Sequence, residues 1–135
     1  HDLSFGLLFV DVDHFKAIND TYGHQAGDHV LQNVAESLAG HLRNTDVCGR
    51  WGGEEFIVLL QGVNLNSISR IAEKLRAMIA SSVITVNQDE QVSITASIGA
   101  AVVRDTDSMT SLVERADQLM YQSKQLGRNR VTLEE

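Results

Sequence analysis

The stretch from Phe5 to Val12, Phe-Gly-Leu-Leu-Phe-Val-Asp-Val, is the strongest constraint on what this chain can fold into. It is apolar almost without interruption over strand length. Such a segment is buried on both faces, as in an interior strand with helices on each side of its sheet. It closes on Asp11 and Asp13, which flank one apolar residue. Side chains alternate along a strand, so both carboxylates leave on the same face or rim. Acids at the end of a buried strand are costly unless they meet water, a cation or hydrogen-bond donors.

Residues 14–21 read as a short helix and 22–27 as a glycine-containing turn. Asp28 opens, or lies in the first turn of, a helix with the apolar stripe Val30, Leu31, Val34, Ala35, Leu38 and Leu42. Residues 46–51 and 56–60 are strand candidates joined through Gly52 and Gly53, a pair that favours a tight hairpin because both can take positive φ. Residues 64–80 form an amphipathic helix through Ile68, Ile71, Ala72, Leu75 and Ile79. Residues 91–103 read as one strand, with Gly99 marking a bulge or a close contact. A third long helix covers 107–125, with Gly127 placed to cap its end, and 130–133 make a last short strand. Strands alternating with helices, plus one hairpin, predict an α/β fold. Its central sheet is mixed, mostly antiparallel and about five-stranded, with helices packed on both faces.

The 135 residues suit one domain, and 43% apolar content is that of a folded soluble chain. A net charge of −7 argues against a nucleic-acid partner, which calls for a basic surface. It leaves nucleotides open, since divalent cations neutralise phosphates that an acidic site would repel. Cys48 is the only cysteine, so neither a disulfide framework nor a cysteine-based zinc site is expected. A cytoplasmic setting fits. The longest apolar runs, 6–10 and 56–60, are too short to span a bilayer, and no membrane contact is expected.

Asp11, Asp13, Glu54 and Glu55 stand out together. If the hairpin pairs beside the first strand, both acidic pairs converge on one sheet edge, next to glycines that let another molecule approach the backbone. Hard oxygen donors of this kind suit Mg²⁺ or Mn²⁺ shared with phosphates. Either pair alone reads equally as a solvated strand end; the joint occurrence carries the metal reading. No phosphate-binding glycine loop of the P-loop or dinucleotide type is present, and no serine-hydrolase elbow. His14, His24, His29 and His41 lack zinc-site spacing and read as surface or supporting residues.

Asp11-Val-Asp-His-Phe-Lys-Ala-Ile-Asn-Asp-Thr-Tyr-Gly-His-Gln-Ala-Gly-Asp28 and Arg50-Trp-Gly-Gly-Glu-Glu-Phe56 resemble the GGDEF family, the diguanylate cyclases. Ser93-Ile-Thr-Ala-Ser-Ile-Gly99 and Arg115-Ala-Asp-Gln-Leu-Met-Tyr-Gln-Ser-Lys-Gln-Leu-Gly-Arg-Asn129 continue the match in order along nearly the whole chain. The resemblance implies a fold like that of nucleotidyl cyclases and polymerase palms. It also implies condensation of two GTP into cyclic di-GMP and two pyrophosphates by a homodimer of half-sites.

By the same resemblance two Mg²⁺ or Mn²⁺ ions per site are held by Asp11, the Val12 carbonyl, Glu54 and Glu55. Glu54 helps to deprotonate the attacking 3′-hydroxyl, and Glu55, Asp11 and Lys16 complete the catalytic set. Asn19 and Asp28 meet the guanine edge, and Phe15, His24, Leu31, Gly52 and Gly53 line the GTP site. Lys16, Lys124 and Arg128 match positions that meet phosphate oxygens. Read without the family, Lys16 is a solvated helix residue, Asp28 a helix cap and Arg128 a charge near a helix end.

Arg43-Asn-Thr-Asp46, five residues before Gly52, matches the family's R-x-x-D site for inhibition by cyclic di-GMP. As bare sequence it is a local ion pair at a helix end. Where some members add an arginine on the next helix this chain has Lys74, with Arg70 one turn earlier. Lysine cannot offer the same planar fork. The domain is expected over residues 1–135, without the family's usual N-terminal helical segment. It is also expected to hang from a sensory or receiver domain, some of which are membrane-anchored. Two rivals to an active cyclase stay open: a silent GTP- or cyclic di-GMP-binding module, and a related cyclase acting on another nucleotide.

Overall fold

In a computed structural model that describes residues 4–134, the long apolar run is strand β1 (Ser4–Val12), the middle strand of a five-stranded sheet. The outermost residues of the expected 1–135 span lie outside those described. β3 (Glu55–Val63) and β6 (Ala96–Val102) flank β1, both antiparallel to it. β2 (Val47–Arg50) closes one edge, and β7 (Arg130–Leu133), parallel to β6, closes the other. The sheet is therefore mixed and mostly antiparallel, as expected.

Alternation along β1 divides the core. Leu8 and Val10 face a cluster with Phe56, Val58 and Leu60 of β3 under helices α2 (His24–Gly40) and α3 (Leu65–Ser81). Leu7 and Phe9 face the other way, onto Leu112, Ala116, Leu119 and Met120 of α4 (Met109–Gln125). Helices thus cover both faces, which is why β1 needs no polar side until Asp11.

Capping is read directly from short polar residues. Asn64 accepts the Ser67 N–H at 2.9 Å, and Ser108 accepts the Ser111 N–H at 3.1 Å, each in a reciprocal capping box. At the far end of α4, Gly127 takes a φ of 123°. Its N–H reaches the Lys124 carbonyl and the Arg128 N–H reaches that of Ser123 at 2.9 Å, the paired bonds of a Schellman ending.

Four local expectations are corrected. The turn over 22–27 shrinks to Gly23 alone, whose φ of 95° lets α1 (Phe15–Tyr22) pass straight into α2. Asp28 is consequently inside the second turn of α2, neither opening the helix nor lying in its first turn. The single strand over 91–103 is broken at residues 94–95. Its first part, β5 (Glu90–Ser93), pairs with β4 (Val83–Val86), a strand the sequence reading lacks, through left-handed Asn87 and Gln88. Thr95 is diverted because its carbonyl accepts the Asp13 N–H at 2.9 Å. Finally, the glycines of positive φ among the described residues are Gly23, Gly62 and Gly127. Gly52 and Gly53 make no two-residue turn; the loop between β2 and β3 is wider, with the Trp51 and Gly52 N–H groups both on the Glu55 carbonyl.

Gly99 marks a close contact, not a bulge: a Cβ there would stand 2.1 Å from the Ala116 carbonyl oxygen of α4. Among the described residues, no helix is long and apolar enough to cross a membrane.

Arg115 on α4 ties the β6–α4 connection to the end of the chain. Its guanidinium bonds Asp107, Glu134 and, at 3.1 Å, the Val102 carbonyl, while Arg104 meets Glu134 at 2.8 Å. The Arg115 hydrogen bond, more than any other influence, brings the Asp107 carboxyl down to about 2. An unfolded aspartate titrates near about 4. A depressed native value stabilises the fold above the unfolded one, and that contribution is lost as pH falls from there towards the native value. The urea midpoint, followed by circular dichroism, is therefore expected to drop between about pH 4 and 2. Asp107→Asn should lower the midpoint at neutral pH and flatten that segment of the profile; a profile of unchanged shape would refute the assignment.

Candidate active site

The register of the sheet builds the site. Asp11 stands opposite Glu55 on β3 and Ser97 on β6, and the Val12 N–H bonds the Glu54 carbonyl at 3.2 Å, drawing the 51–54 loop onto the end of β1. Asp11, Glu54 and Glu55 thus share one rim of the sheet. Arg50 holds the loop from beneath, its guanidinium on the Gly53 carbonyl at 2.6 Å and the Gly52 carbonyl at 3.2 Å. At Gly52 a Cβ would lie 2.5 Å from Glu55 Oε1, so any side chain there displaces that carboxylate. Gly53 faces open space, leaving its backbone approachable.

Lys124, from the last turn of α4, enters the acids from the other side. Its Nζ is 2.8 Å from Asp11 Oδ1 and 3.0 Å from Asp13 Oδ1. Both acids of the β1 end therefore leave on the same face, as alternation requires. Their fates differ. Asp13 is buried and fully hydrogen-bonded. Asp11 Oδ1 is buried and meets the Lys124 ammonium in an ion pair of 2.8 Å. Burial pushes the Asp11 carboxyl up, and Glu54 and Asp13 add to this against the pull of Lys124. Burial likewise raises Glu55, helped by Asp11, Asp117 and Glu54.

Carboxylates that raise one another on a half-exposed rim form a site that a cation stabilises. Among the described residues no three acid, histidine or cysteine groups stand in closed metal-ligand geometry. The donor chemistry nevertheless fits a hard divalent ion: oxygen ligands on a water-facing rim, with Glu54 and Glu55 half-exposed.

Beside this rim lies a cavity of about 600 Å³ between α2 and the β2–β3 edge, lined by Asp28, Leu31, Cys48, Arg50 and Phe56 among others. It has ample room for a nucleobase. Burial pushes the Cys48 thiol up, so it lines the cavity as a small neutral group. Asn19 and Phe15 of α1 close on Gly27 of α2. A Cβ at Gly27 would meet Asn19 Oδ1 at 1.8 Å and Phe15 Cζ at 3.1 Å, and Asn19 Oδ1 is buried without a partner. Lys16 on α1, His24 at the start of α2 and Arg128 beyond α4 are exposed.

A sequence model of the family described as "Diguanylate cyclase, GGDEF domain" matches residues 1–130. The chain belongs to the GGDEF family. Diguanylate cyclase A of Treponema denticola is 44% identical over 131 residues, 96% of this chain and 35% of that protein. The diguanylate cyclase SiaD of Pseudomonas aeruginosa, solved in complex with its activator SiaC, superposes with a TM-score of 0.93 at 37% identity, over 99% of this chain and 51% of that one. The GGDEF domain of DgcB from Caulobacter crescentus, solved in complex with c-di-GMP, gives 0.91 at 35% identity, over 97% of this chain and 78% of that one. The chain spans about a third of the length of the curated relatives it matches, such as the Treponema protein.

In this GGDEF domain the structure gathers Asp11, Val12, Glu54, Glu55 and Lys124 at one rim, and Asp28 and Leu31 in one cavity. Arg43 and Asp46 form a separate unit. The guanidinium meets Asp46 at 3.2 Å, and both residues clamp β3 at Gln61, whose carbonyl accepts from Arg43 and whose N–H reaches Asp46 at 3.3 Å. Arg70 and Lys74 lie on the exposed side of α3. Sequence reasoning missed the supports: Thr95, Ser97 and Asn129 around Asp13, and the Arg50 clamp on the GGDEF loop. Thr95 and Ser97 did carry a signal, two hydroxyls at period two at the start of an otherwise apolar strand.

Proposed function

We propose that this GGDEF domain is a diguanylate cyclase that joins two GTP into cyclic di-GMP and two pyrophosphates, each of two facing copies supplying one nucleotide. The observation that carries the reading is the convergence of Asp11, Glu54, Glu55 and Lys124 on one rim beside the cavity lined by Asp28. Asp11, the Val12 carbonyl, Glu54 and Glu55 would hold Mg²⁺ or Mn²⁺, which when bound polarise the phosphates and acidify the attacking hydroxyl.

Within the cavity the Asp28 carboxylate accepts the N–H donors of the guanine edge and the Asn19 amide completes the contact, an arrangement that adenine cannot satisfy. Lys124, Lys16 and Arg128 supply cationic donors for phosphate oxygens. The Glu54 carboxylate takes the proton of the 3′-hydroxyl as it attacks the α-phosphate of the other copy's nucleotide, and pyrophosphate leaves. One copy binds GTP but completes no ring, so turnover requires a homodimer. Arg43 and Asp46 form the inhibitory product site, a reading that rests on the R-x-x-D spacing before the glycine loop. Lys74 and Arg70 in place of a well-placed arginine make that inhibition weak. A sensory or receiver domain in the full-length protein would supply the input.

The test is incubation of the purified domain with GTP or ATP and Mg²⁺ over a range of protein concentrations, with products resolved by chromatography. Cyclic di-GMP from GTP alone, rising more steeply than linearly with protein, is the expected result. Equal use of ATP would overturn the base assignment. GTP binding with no product at any concentration would favour a silent binding module.

A further inference from the structure

Every lone pair of the Asp13 carboxylate is engaged. Oδ1 accepts from Ser97 Oγ at 2.7 Å and Lys124 Nζ at 3.0 Å; Oδ2 accepts from Thr95 Oγ1 at 2.7 Å and from the Asn129 backbone N–H at 3.0 Å. The side chain is fully covered. Burial alone would raise its carboxyl, but hydrogen bonds from Thr95, Ser97, Lys124 and Asn129 hold it below the usual range. An anion so saturated has nothing left for a metal ion, which separates Asp13 from Asp11 two residues before it.

What Asp13 holds is more informative. An ammonium group has three N–H donors. Lys124 directs its Nζ at Asp11 and Asp13, which leaves one donor for a third partner on the rim. Asn129 lies in a turn where Arg128 has a φ of 66° and Asn129 one of 48°, two successive left-handed residues that are not glycine. That turn is held at both ends of Asn129: its N–H by Asp13, and its side-chain oxygen by Arg76 Nη1 of α3 at 2.6 Å. The backbone of the exposed Arg128 forms part of this turn. Lys124 is bonded to this buried carboxylate directly, and Arg128 is joined to it through the backbone of Asn129.

We propose that Asp13 is a positioning residue for triphosphate binding, acting through Lys124 and the left-handed Arg128–Asn129 turn without touching nucleotide or metal. The inference rests on the cyclase reading above and names a determinant within it. Because the base contacts are elsewhere, Asp13 governs affinity for the phosphates and not for guanine.

Asp13→Asn, confirmed as folded by circular dichroism, would be titrated with GTP and with guanosine in the presence of Mg²⁺. Breaking a buried charge pair is expected to weaken GTP roughly tenfold or more, with guanosine within about twofold of wild type. The KM for GTP should rise by more than kcat falls, a split that general loosening of the fold would not produce. In a Lys124→Ala background the Asn substitution should add much less than it costs alone, since the two act through one contact. Ser97→Ala keeps the carboxylate and removes one of its donors; should Asp13→Asn not fold, this variant decides, with a several-fold loss for GTP alone expected. Equal losses for GTP and guanosine, unchanged GTP affinity, or full additivity with Lys124→Ala would each overturn the proposal. A wild-type domain that binds GTP no better than ATP and forms no product would instead overturn the cyclase reading itself.

Discussion

Glu54→Ala is expected to abolish cyclic di-GMP formation, lowering turnover by roughly a thousandfold or more, as loss of a positioned proton acceptor that also faces the metal should do. The fold should survive. The Glu54 contact that joins the loop to β1 is made by its backbone carbonyl, which accepts the Val12 N–H at 3.2 Å and is kept by alanine. The Arg50 clamp on the Gly52 and Gly53 carbonyls is equally untouched. A product assay beside a thermal melt separates the two effects: activity lost with the melting temperature little changed. Near-normal product formation would sink both the metal and the base assignment for Glu54.

Gly99→Ala is the substitution expected to damage stability most. The new methyl would stand 2.1 Å from the Ala116 carbonyl oxygen, 2.3 Å from the Met120 nitrogen and 2.9 Å from the Leu119 carbonyl carbon. All three belong to the α4 backbone, so no side-chain rotation relieves the overlap; the helix has to lift from the sheet. Lifting it opens the packing of Leu112, Ala116 and Met120 on Leu7, Phe9 and Ala101, and strains the 2.9 Å bond from Ser123 Oγ to the Ile98 carbonyl. Overpacking against a rigid element costs about 3 kcal/mol or more. For a domain of this size that lowers the melting temperature by roughly 10 °C. Since α4 also carries Lys124, GTP affinity should fall with it. Urea unfolding monitored by tryptophan fluorescence checks the first effect, and an unchanged midpoint would show that α4 moves at no cost.

Much of the fold was legible because it is set by local or periodic properties. The apolar run of β1 specified a strand covered on both faces, the stripe of Ile68, Ala72, Leu75 and Ile79 specified α3, and Gly127 announced the end of α4. The acid pairs and the glycine loop between them marked the site before any contact was known. Failures fell where local signals are weakest. Residues 91–103 look like one β-rich run, but Thr95 is claimed by Asp13, and Ile84 and Val86 give β4 only two buried residues. The glycine pair at 52 and 53 suggested a tight turn, whereas their role is room: for the Glu55 carboxylate at Gly52 and for an approaching molecule at Gly53.

By itself, then, the sequence determined most of the long elements, the burial of β1, the shared face of Asp11 and Asp13, and the family. Tertiary structure alone decided what each acid does. Asp13 meets Thr95, Ser97, Lys124 and Asn129 from 82 to 116 residues away, and so becomes a saturated buried anion. Asp11, two residues earlier at the end of β1 and on the same face, stands opposite Glu55 and pairs with Lys124 at 2.8 Å, and so joins the acids of the rim. The physical reason is that periodicity fixes the direction of a side chain, while its charge state and role depend on donors that only the folded chain brings within 3 Å.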